Sequence, residues 1–314
     1  MEILSSLNDV KILNRTAVAL GNFDGVHIGH REIIKDAAEI AKSKGLLALC
    51  LTFSNHPLDL VNDGSAGRFV RYIDDEKTKL KKIEELGIDF IVDIPFDEEL
   101  MTMTPEAFIT DILKEKLHAE YVVCGFNYRF GHKAAGDPQL LKEFGAGLGI
   151  NTVVHDEVKL DGETVSSTAV RKMIEDGDME KAARFLGRPY SVSGKVVGGR
   201  KIGRKIGFPT VNLPVPMQLV TPPNGVYFTM VYCNGREYPG VTDIGVKPTV
   251  RKGGTKKFVE THILDFDGKL YGNEIRVDFL KMRRPEVKFS DIEALKRQIK
   301  EDRNAAAEFH KNGK

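Results

Sequence analysis

The 314-residue chain has no hydrophobic run approaching the about 20 residues that span a bilayer, so a transmembrane helix is not expected. Its opening, MEILSSLNDVKIL, carries acidic residues and lacks the pattern of a secretory leader. No charge of one sign dominates: 46 Lys and Arg stand against 45 Asp and Glu, a formal net of +1. That balance gives no reason to expect nucleic acid or an anionic membrane as a partner. Cysteine is scarce. Cys50, Cys124 and Cys233 lie far apart with no CxxC pair, and the first two sit in apolar strand-like runs. They read as buried reduced thiols rather than metal ligands or a disulfide. The expectation is a soluble, cytoplasmic protein.

The length fits two domains at about 100–200 residues each. Up to residue 186 strands alternate with helices. Ala17–Leu20, Leu46–Phe53, Phe90–Phe96, Tyr121–Phe126 and the run NTVVHDEV read as strands, several of them continuously apolar, as strands covered on both faces are. Between them lie helices at Asp74–Gly87, at TPEAFITDILKEKL with Thr104 as cap and Pro105 at the first position, and at Pro138–Gly149. This alternation predicts an α/β domain with a doubly wound parallel sheet, its ligands at the carboxyl ends of the strands.

One junction stands out. The run Ala17–Leu20 stops at Gly21-Asn22-Phe23-Asp24-Gly25, then come His27, Gly29 and His30. A helix follows with Ile33, Ile34, Ala37, Ala38, Ile40 and Ala41 on one face, ending at Gly45. The free N–H groups and dipole of such a helix make an anion site. Two imidazoles beside it suit phosphates that gain charge as pyrophosphate leaves. Taken alone, two histidines near a turn are more often a satisfied loop pair. Other polar clusters fall at strand ends of the same domain: His56-Pro57, then Asn127, Arg129 and Asp137 among glycines, then Val165–Arg171. In that last cluster Ser166 or Ser167 would cap a helix, with Thr168 beside them and Arg171 one turn in, within reach of a phosphate.

The string GNFDGVHIGH, with the flanking strand and helix, resembles the signature of the nucleotidyltransferase superfamily. Its fuller form is similar to that of the bacterial bifunctional riboflavin kinase/FMN adenylyltransferase (FAD synthetase) family. His56-Pro57, GFNYRFG…GD and VSSTAVR match further elements of that family. The resemblance implies that Gly21, Phe23, Asp24, Gly25, His27, Gly29, His30, Ser166, Ser167, Thr168 and Arg171 handle ATP. It also implies that His56, Pro57, Asn127, Arg129 and Asp137 face the flavin, with Asn127 and Asp137 at the adenylation centre. The family often has Asp at Asn127 and Arg at Ala169.

From Gly187 the composition changes. Short apolar or alternating runs punctuated by Gly and Pro (YSVSGKVVGG, GVYFTMVYCNG, EYPGVTDIG, KKFVETHILD, EIRVDFLKM) predict an antiparallel β-barrel. A final amphipathic helix would pack on it through Ile292, Leu295, Ile299 and Ala306. The domains are therefore drawn as 1–186 and 187–314. The Gly- and cation-rich stretch Gly198–Asn212 suits a phosphate-covering loop, but no Gly-Lys-Ser/Thr follows its glycines, so it is not a Walker A loop. A surface hairpin is its bland alternative. Thr210 and Asn212 are hard oxygen ligands that suit Mg²⁺ held with ATP phosphates. Glu260, in a strand-like run, can take the proton of an attacking hydroxyl; its bland alternative is an outward-facing strand residue.

GRKIGFPTVN, ETHILDFDGKLYG and RRPEVKF resemble the riboflavin kinase elements of the same family. The resemblance implies that Gly203, Lys205 and Gly207 form the phosphate loop, Thr210 and Asn212 hold Mg²⁺–ATP, Glu260 is the base on the ribityl hydroxyl, and Arg284 lies toward the flavin. Asp243 stands where the family usually has Asn. The implied substrates and products are ATP, riboflavin, FMN and FAD, with Mg²⁺ as cofactor; a homo-oligomer is left open. An alternative is that one half is impaired, leaving a monofunctional or regulatory flavin-binding protein. Class I aminoacyl-tRNA synthetases also carry His-Ile-Gly-His, but a lysine-rich loop and a basic face are missing here.

Overall fold

A computed structural model describes residues 1–11, 13–56, 70–199, 202–248 and 255–312, with only the backbone of Ile202, Lys205, Lys247, Pro248 and Thr255. The chain divides into two compact units. One comprises Met1–Val70 and Asp75–Ser167, the other Arg71–Asp74 and Thr168–Lys314.

The first unit is built on six parallel strands: β1 (Glu2–Leu4), β2 (Thr16–Leu20), β3 (Leu47–Phe53), β4 (Phe90–Ile94), β5 (Ala119–Gly125) and β6 (Asn151–His155), in spatial order β1-β4-β3-β2-β5-β6. Every pairing is parallel. Alternation along the strands sends side chains to two cores. Ala17, Ala19, Cys50, Ile91 and Val123 pack with Ile33, Ile34, Ala37 and Ala41 of the helix Ile28–Lys44. Val18, Leu20, Leu49, Leu51, Val92 and Val122 pack on the other face with Ile109, Ile112, Leu113 and Leu141. The sheet is thus doubly wound. β2 lies between β3 and β5, so the chain reverses its strand order there and opens a crevice at the carboxyl ends of β2 and β5.

Helix ends follow the local chemistry. Asp75 caps Glu76–Glu84, Thr104 caps a turn opened by Pro105, and Asp137 caps Pro138–Gly147. Gly45 ends Ile28–Lys44 in the left-handed conformation, φ 67°. The segment after Ala107 is wound as a π-helix, Phe108–Lys116.

In the second unit the helices Ser167–Asp176 and Met179–Leu186 precede six antiparallel strands. These are β9 (Tyr190–Lys195), β10 (Val211–Pro214), β11 (Gly225–Cys233), β12 (Arg236–Pro248), β13 (Thr255–Ile263) and β14 (Glu274–Pro285), after a small hairpin β7 (Lys159–Leu160) and β8 (Glu163–Thr164) in the first unit. Their order is β10-β13-β12-β11-β14-β9, and a bridge between Val197 and Asn212 brings the two edges together into a nearly closed barrel. Buried inside are Tyr190, Tyr227 and Phe279, and a chain of hydroxyls in which Thr229, Thr242 and Thr261 bond at 2.8 Å each. These buried hydroxyls satisfy one another, which removes most of the cost of placing them in an apolar interior.

The helix Ile292–Asn312 covers the outer face, through Ala305, Ala306 and Phe309 against Val226, Phe228, Val241 and Leu264. This corrects the stripe read from the sequence. Ala306 is fully buried, but Ile292 is 57% exposed. The helix is fixed in its second half, where Phe309 stacks on Phe228 at 4.7 Å and buried Asp302 receives Arg284, and Ile292 lies outside that contact.

Candidate active sites

At the carboxyl end of β2 the backbone takes an unusual path. Phe23 (φ 52°), Gly25 (φ 80°) and Val26 (φ 39°) are all left-handed. For a β-branched residue such as Val26 that conformation is strained, and it persists only where the surroundings enforce it. They do so here. Thr52 of β3 donates its hydroxyl to the Asn22 carbonyl at 3.0 Å, and Ser167 donates to the Asp24 carbonyl at 2.9 Å. The Phe23 ring is fully buried and folds back over Gly21, where a Cβ would lie 2.8 Å from it. Gly21 is glycine because Phe23 occupies the space its side chain would need.

This loop delivers the two histidines. His27 is the N-cap of the helix Ile28–Lys44: its Nδ1 accepts the His30 N–H at 3.2 Å, which places the proton of the neutral ring on Nε2. The His30 ring stacks on His27 at 3.5 Å, with Phe23 edge-on to it at 5.2 Å. So Gly21, Phe23, Asp24, Gly25, His27, Gly29, His30 and Ser167 come together at a helix N-terminus at the switch point of the sheet. Ser166 precedes Ser167 directly, while Thr168 and Arg171 belong to the second unit.

Beside them, at the end of β5, Phe126 N–H donates to the His155 carbonyl at 2.8 Å and Tyr128 N–H to the Gly125 carbonyl at 3.0 Å. This turn leaves Asn127 and Arg129 exposed. His155 is itself held by Asp36 at 3.0 Å. Tyr128 stacks on Phe130, and burial pushes its hydroxyl pKa up. Asp137 is engaged differently: its carboxylate caps the next helix by accepting the Leu140 N–H at 2.9 Å. His56 follows Asn55, whose side-chain amide pairs with both the N–H and the carbonyl of Phe96 and clamps the ends of β3 and β4 together. Pro57 lies outside the described residues.

The second site lies on the barrel. Asn212, Glu260 and Asp243 are register partners on β10, β13 and β12, so their side chains form one row on one face. Val226 and Phe228 pair with Asp243 and Val241, which makes that face the outer one, the face the C-terminal helix covers further along. Glu260 thus points outward, yet it is half-buried, because it lines a cavity of about 600 Å³ together with Gly199, Gly203, Thr210 and Asn212. Asn212 is buried, and a Cβ on Gly199 would lie 2.8 Å from its amide nitrogen. Gly199 therefore gives the amide a close backbone cradle.

Gly203 is forced by sterics too, since a Cβ there would come within 2.3 Å of the Phe208 carbonyl oxygen. Gly207 is left-handed at φ 91°, and Phe208 N–H returns to the Gly203 carbonyl at 2.8 Å, closing a tight loop. His262 of β13 bonds the Pro209 carbonyl through Nδ1 at 2.8 Å. The side chain of Lys205 lies outside the described residues, as do Arg200 and Lys201. Arg284 is engaged by Asp302, with Nη2 to Oδ2 at 2.7 Å and Nε to both oxygens.

No group of three or more acidic, histidine or cysteine side chains that could hold a metal by itself occurs among the described residues. Thr210 and Asn212 offer neutral oxygens, which fits a cation that arrives with phosphates rather than one held by the protein alone. Sequence reasoning did not single out Ser167 as a tie to Asp24, His27 as a cap, Thr52 as a loop anchor, or His262. The cysteines are buried and unpaired by disulfides, and burial pushes Cys124 up to about 12, so none is a nucleophile at neutral pH.

A parallel α/β domain with paired histidines at a helix terminus, joined to a barrel with a strand glutamate over a Gly-rich loop, defines a two-domain nucleotide-using transferase. The FAD synthetase family matches residues 9–169 and the riboflavin kinase family residues 186–310. The chain is 36% identical over 292 residues to the bifunctional riboflavin kinase/FMN adenylyltransferase of Listeria monocytogenes, covering 93% of this chain and 91% of that one. It is 36% identical over 294 residues to the Escherichia coli K12 protein of the same name, covering 93% and 92%. The chain belongs to the bifunctional riboflavin kinase/FMN adenylyltransferase family. A crystal structure described as a macrolide-efflux protein from Streptococcus pneumoniae shares 27% identity, with a TM-score of 0.87 over 97% of this chain and 98% of that one. That likeness concerns the fold. Among the described residues no helix is long and apolar enough to cross a membrane.

Proposed function

We propose that the two activities of the family divide along the chain. Residues 187–314 phosphorylate riboflavin to FMN with ATP, and residues 1–186 adenylate FMN to FAD and release pyrophosphate. The family matches, 9–169 and 186–310, support this division. For the phosphotransfer half, the observation that carries the reading is the Asn212–Glu260 pair facing the 600 Å³ cavity.

In that half the attacking group is an alcohol and needs a base. Glu260 accepts the proton of the ribityl 5′-hydroxyl as its oxygen attacks the γ-phosphorus of ATP and ADP leaves. Thr210 and Asn212 would hold the phosphates' Mg²⁺, which would supply neutralisation of the charge on the transferring group. Gly203, Lys205 and Gly207 cover the phosphates, and Arg284, oriented by Asp302, borders the flavin side.

In the other half the nucleophile is already an anion, so no base is needed. The FMN phosphate attacks the α-phosphorus of ATP directly, and catalysis is positioning and charge neutralisation. His27, through Nε2–H, and His30 sit with the first N–H groups of their helix on the phosphates. Gly21, Phe23, Asp24, Gly25 and Gly29 shape the approach, and Ser166 and Ser167 complete the ATP contacts of this unit. His56, Asn127 and Arg129 face FMN, and Asp137 serves by anchoring the return of their loop. The free buried thiols fit a reducing, cytoplasmic compartment.

The reading with one half impaired rests on Asn127, Ala169 and Asp243, and nothing described here favours it. A chromatographic time course with riboflavin, MgCl₂ and ATP, repeated from FMN, tests the proposal. FMN should rise first and FAD then accumulate. FMN without FAD would put the fault in the first half, and FAD from added FMN alone would put it in the barrel.

A further inference from the structure

The loop Gly203–Thr210 has two anchors of different range. One is local, the Phe208 N–H on the Gly203 carbonyl. The other ties the loop to the strand that carries Glu260. The β10–β13 ladder begins with Val211 opposite Thr261, so Pro209 and Thr210 lie beyond its end. There the His262 side chain takes over, its Nδ1 2.8 Å from the Pro209 carbonyl. A carbonyl only accepts, so Nδ1 carries the proton. The Phe208 ring stands edge-on to the imidazole at 5.7 Å and 80°, fixing its plane. His262 and Glu260 are two residues apart on one strand and share a face. Burial of the imidazole lowers its pKa, which favours a neutral ring with one donor nitrogen.

We propose that His262 is a positioning residue for phosphotransfer, which sets Thr210 in register with Asn212 and Glu260 by holding the Pro209 carbonyl. This rests on the reading of Thr210 and Asn212 as the ligands of Mg²⁺–ATP. The side chain extends the sheet by one hydrogen bond past its last backbone pair, just where the phosphate loop joins the strand. Without that bond the Pro209 carbonyl is left to water and Thr210 loses its fixed distance from the general base.

The test uses the full chain and two amides of different reach. The His262→Asn amide nitrogen falls near the place of Nδ1, and that of His262→Gln falls near Nε2. His262→Gln should lower kcat/KM for Mg²⁺–ATP by about tenfold, the effect of one lost buried hydrogen bond, with KM for riboflavin changed by less than about twofold. His262→Asn should recover to within about threefold of the parent chain. FAD formation from added FMN, measured on the same samples, should be unchanged in both and reports that the first domain is folded, while the unchanged KM for riboflavin reports the same of the barrel. Independently of turnover, uptake of Mn²⁺ with ADP, read from the EPR signal of the free ion, should fall in His262→Gln as it does in Thr210→Ala.

Equal impairment of the Asn and Gln variants, or none in either while Thr210→Ala is impaired, would overturn the role of His262 and leave the ligand assignment standing. Full phosphotransfer and Mn²⁺ uptake in both Thr210→Ala and Asn212→Ala would overturn the ligand assignment, and the role of His262 with it.

Discussion

Gly21 and Gly29 flank the same histidine but are glycines for different reasons. A side chain at Gly21 would collide with the Phe23 ring, whereas a Cβ at Gly29 would only touch the His27 ring and Val158 at 3.5 Å, an ordinary contact. Protein packing therefore does not demand glycine at position 29, and under the proposed function the glycine leaves room for a phosphate at the helix terminus. Gly29→Ala should keep or raise thermal stability, by up to about 1 kcal/mol from helix propensity. It should cut FAD formation from FMN by about tenfold or more while leaving riboflavin phosphorylation intact. A variant destabilised in a melting experiment, or one with parental FAD formation, would refute this account. At this scale the sequence was informative about residue types. His-x-Gly-His after an apolar run and before an amphipathic stretch is visible in one dimension. The left-handed Phe23 and Val26 are not, because no local signal favours that conformation for an aromatic or β-branched residue. Nor are the ties Ser167–Asp24 and His262–Pro209, each of which joins residues far apart in sequence.

Whole elements were legible in proportion to their length and regularity. The long helix Ile28–Lys44 and the buried strands β2 to β5 follow from periodicity and apolar runs. The three-residue β1 is too short to carry a period, and a π-helix has the same apolar spacing on paper as an α-helix over one or two turns. The C-terminal helix shows a subtler limit: periodicity gives the apolar stripe but not how much of it finds a partner. Its docking depends on Asp302, buried at 3% exposure, which receives Arg284 through both oxygens and Gln298 at 3.2 Å. Removing one partner of such a pair strands the other charge. Asp302→Ala should cost about 3 kcal/mol of stability, read by denaturant unfolding of the full chain, whereas Ile292→Ser should change it by less than about 0.5 kcal/mol. Equal effects would mean that the helix docks through its first turns after all.

At the scale of the molecule, the change from parallel α/β to antiparallel barrel was legible because the two use different connections. Parallel strands need crossovers and antiparallel ones need turns, so helices vanish from the pattern near residue 187. Where contacts regroup is not so readily read: Thr168–Leu186 join the barrel's unit, and the family matches leave 170–185 between them. On the proposed assignment the chemistry nonetheless divides cleanly, since only an alcohol nucleophile would require Glu260 and only pyrophosphate release would require the histidines. Glu260→Gln should lower FMN formation by about 10²–10⁴-fold, the range for loss of a general base, and leave FMN-to-FAD conversion nearly intact. His27→Ala with His30→Ala should do the reverse. Mixed in one tube with riboflavin and ATP, the two variants should together make FAD after a lag in which FMN builds up, because each supplies the step the other lacks. A folded variant that has lost both activities would mean that the two sites share machinery. A mixture that accumulates FMN but no FAD, although the Glu260→Gln chain converts added FMN when assayed alone, would mean that FMN stays bound to the domain that makes it.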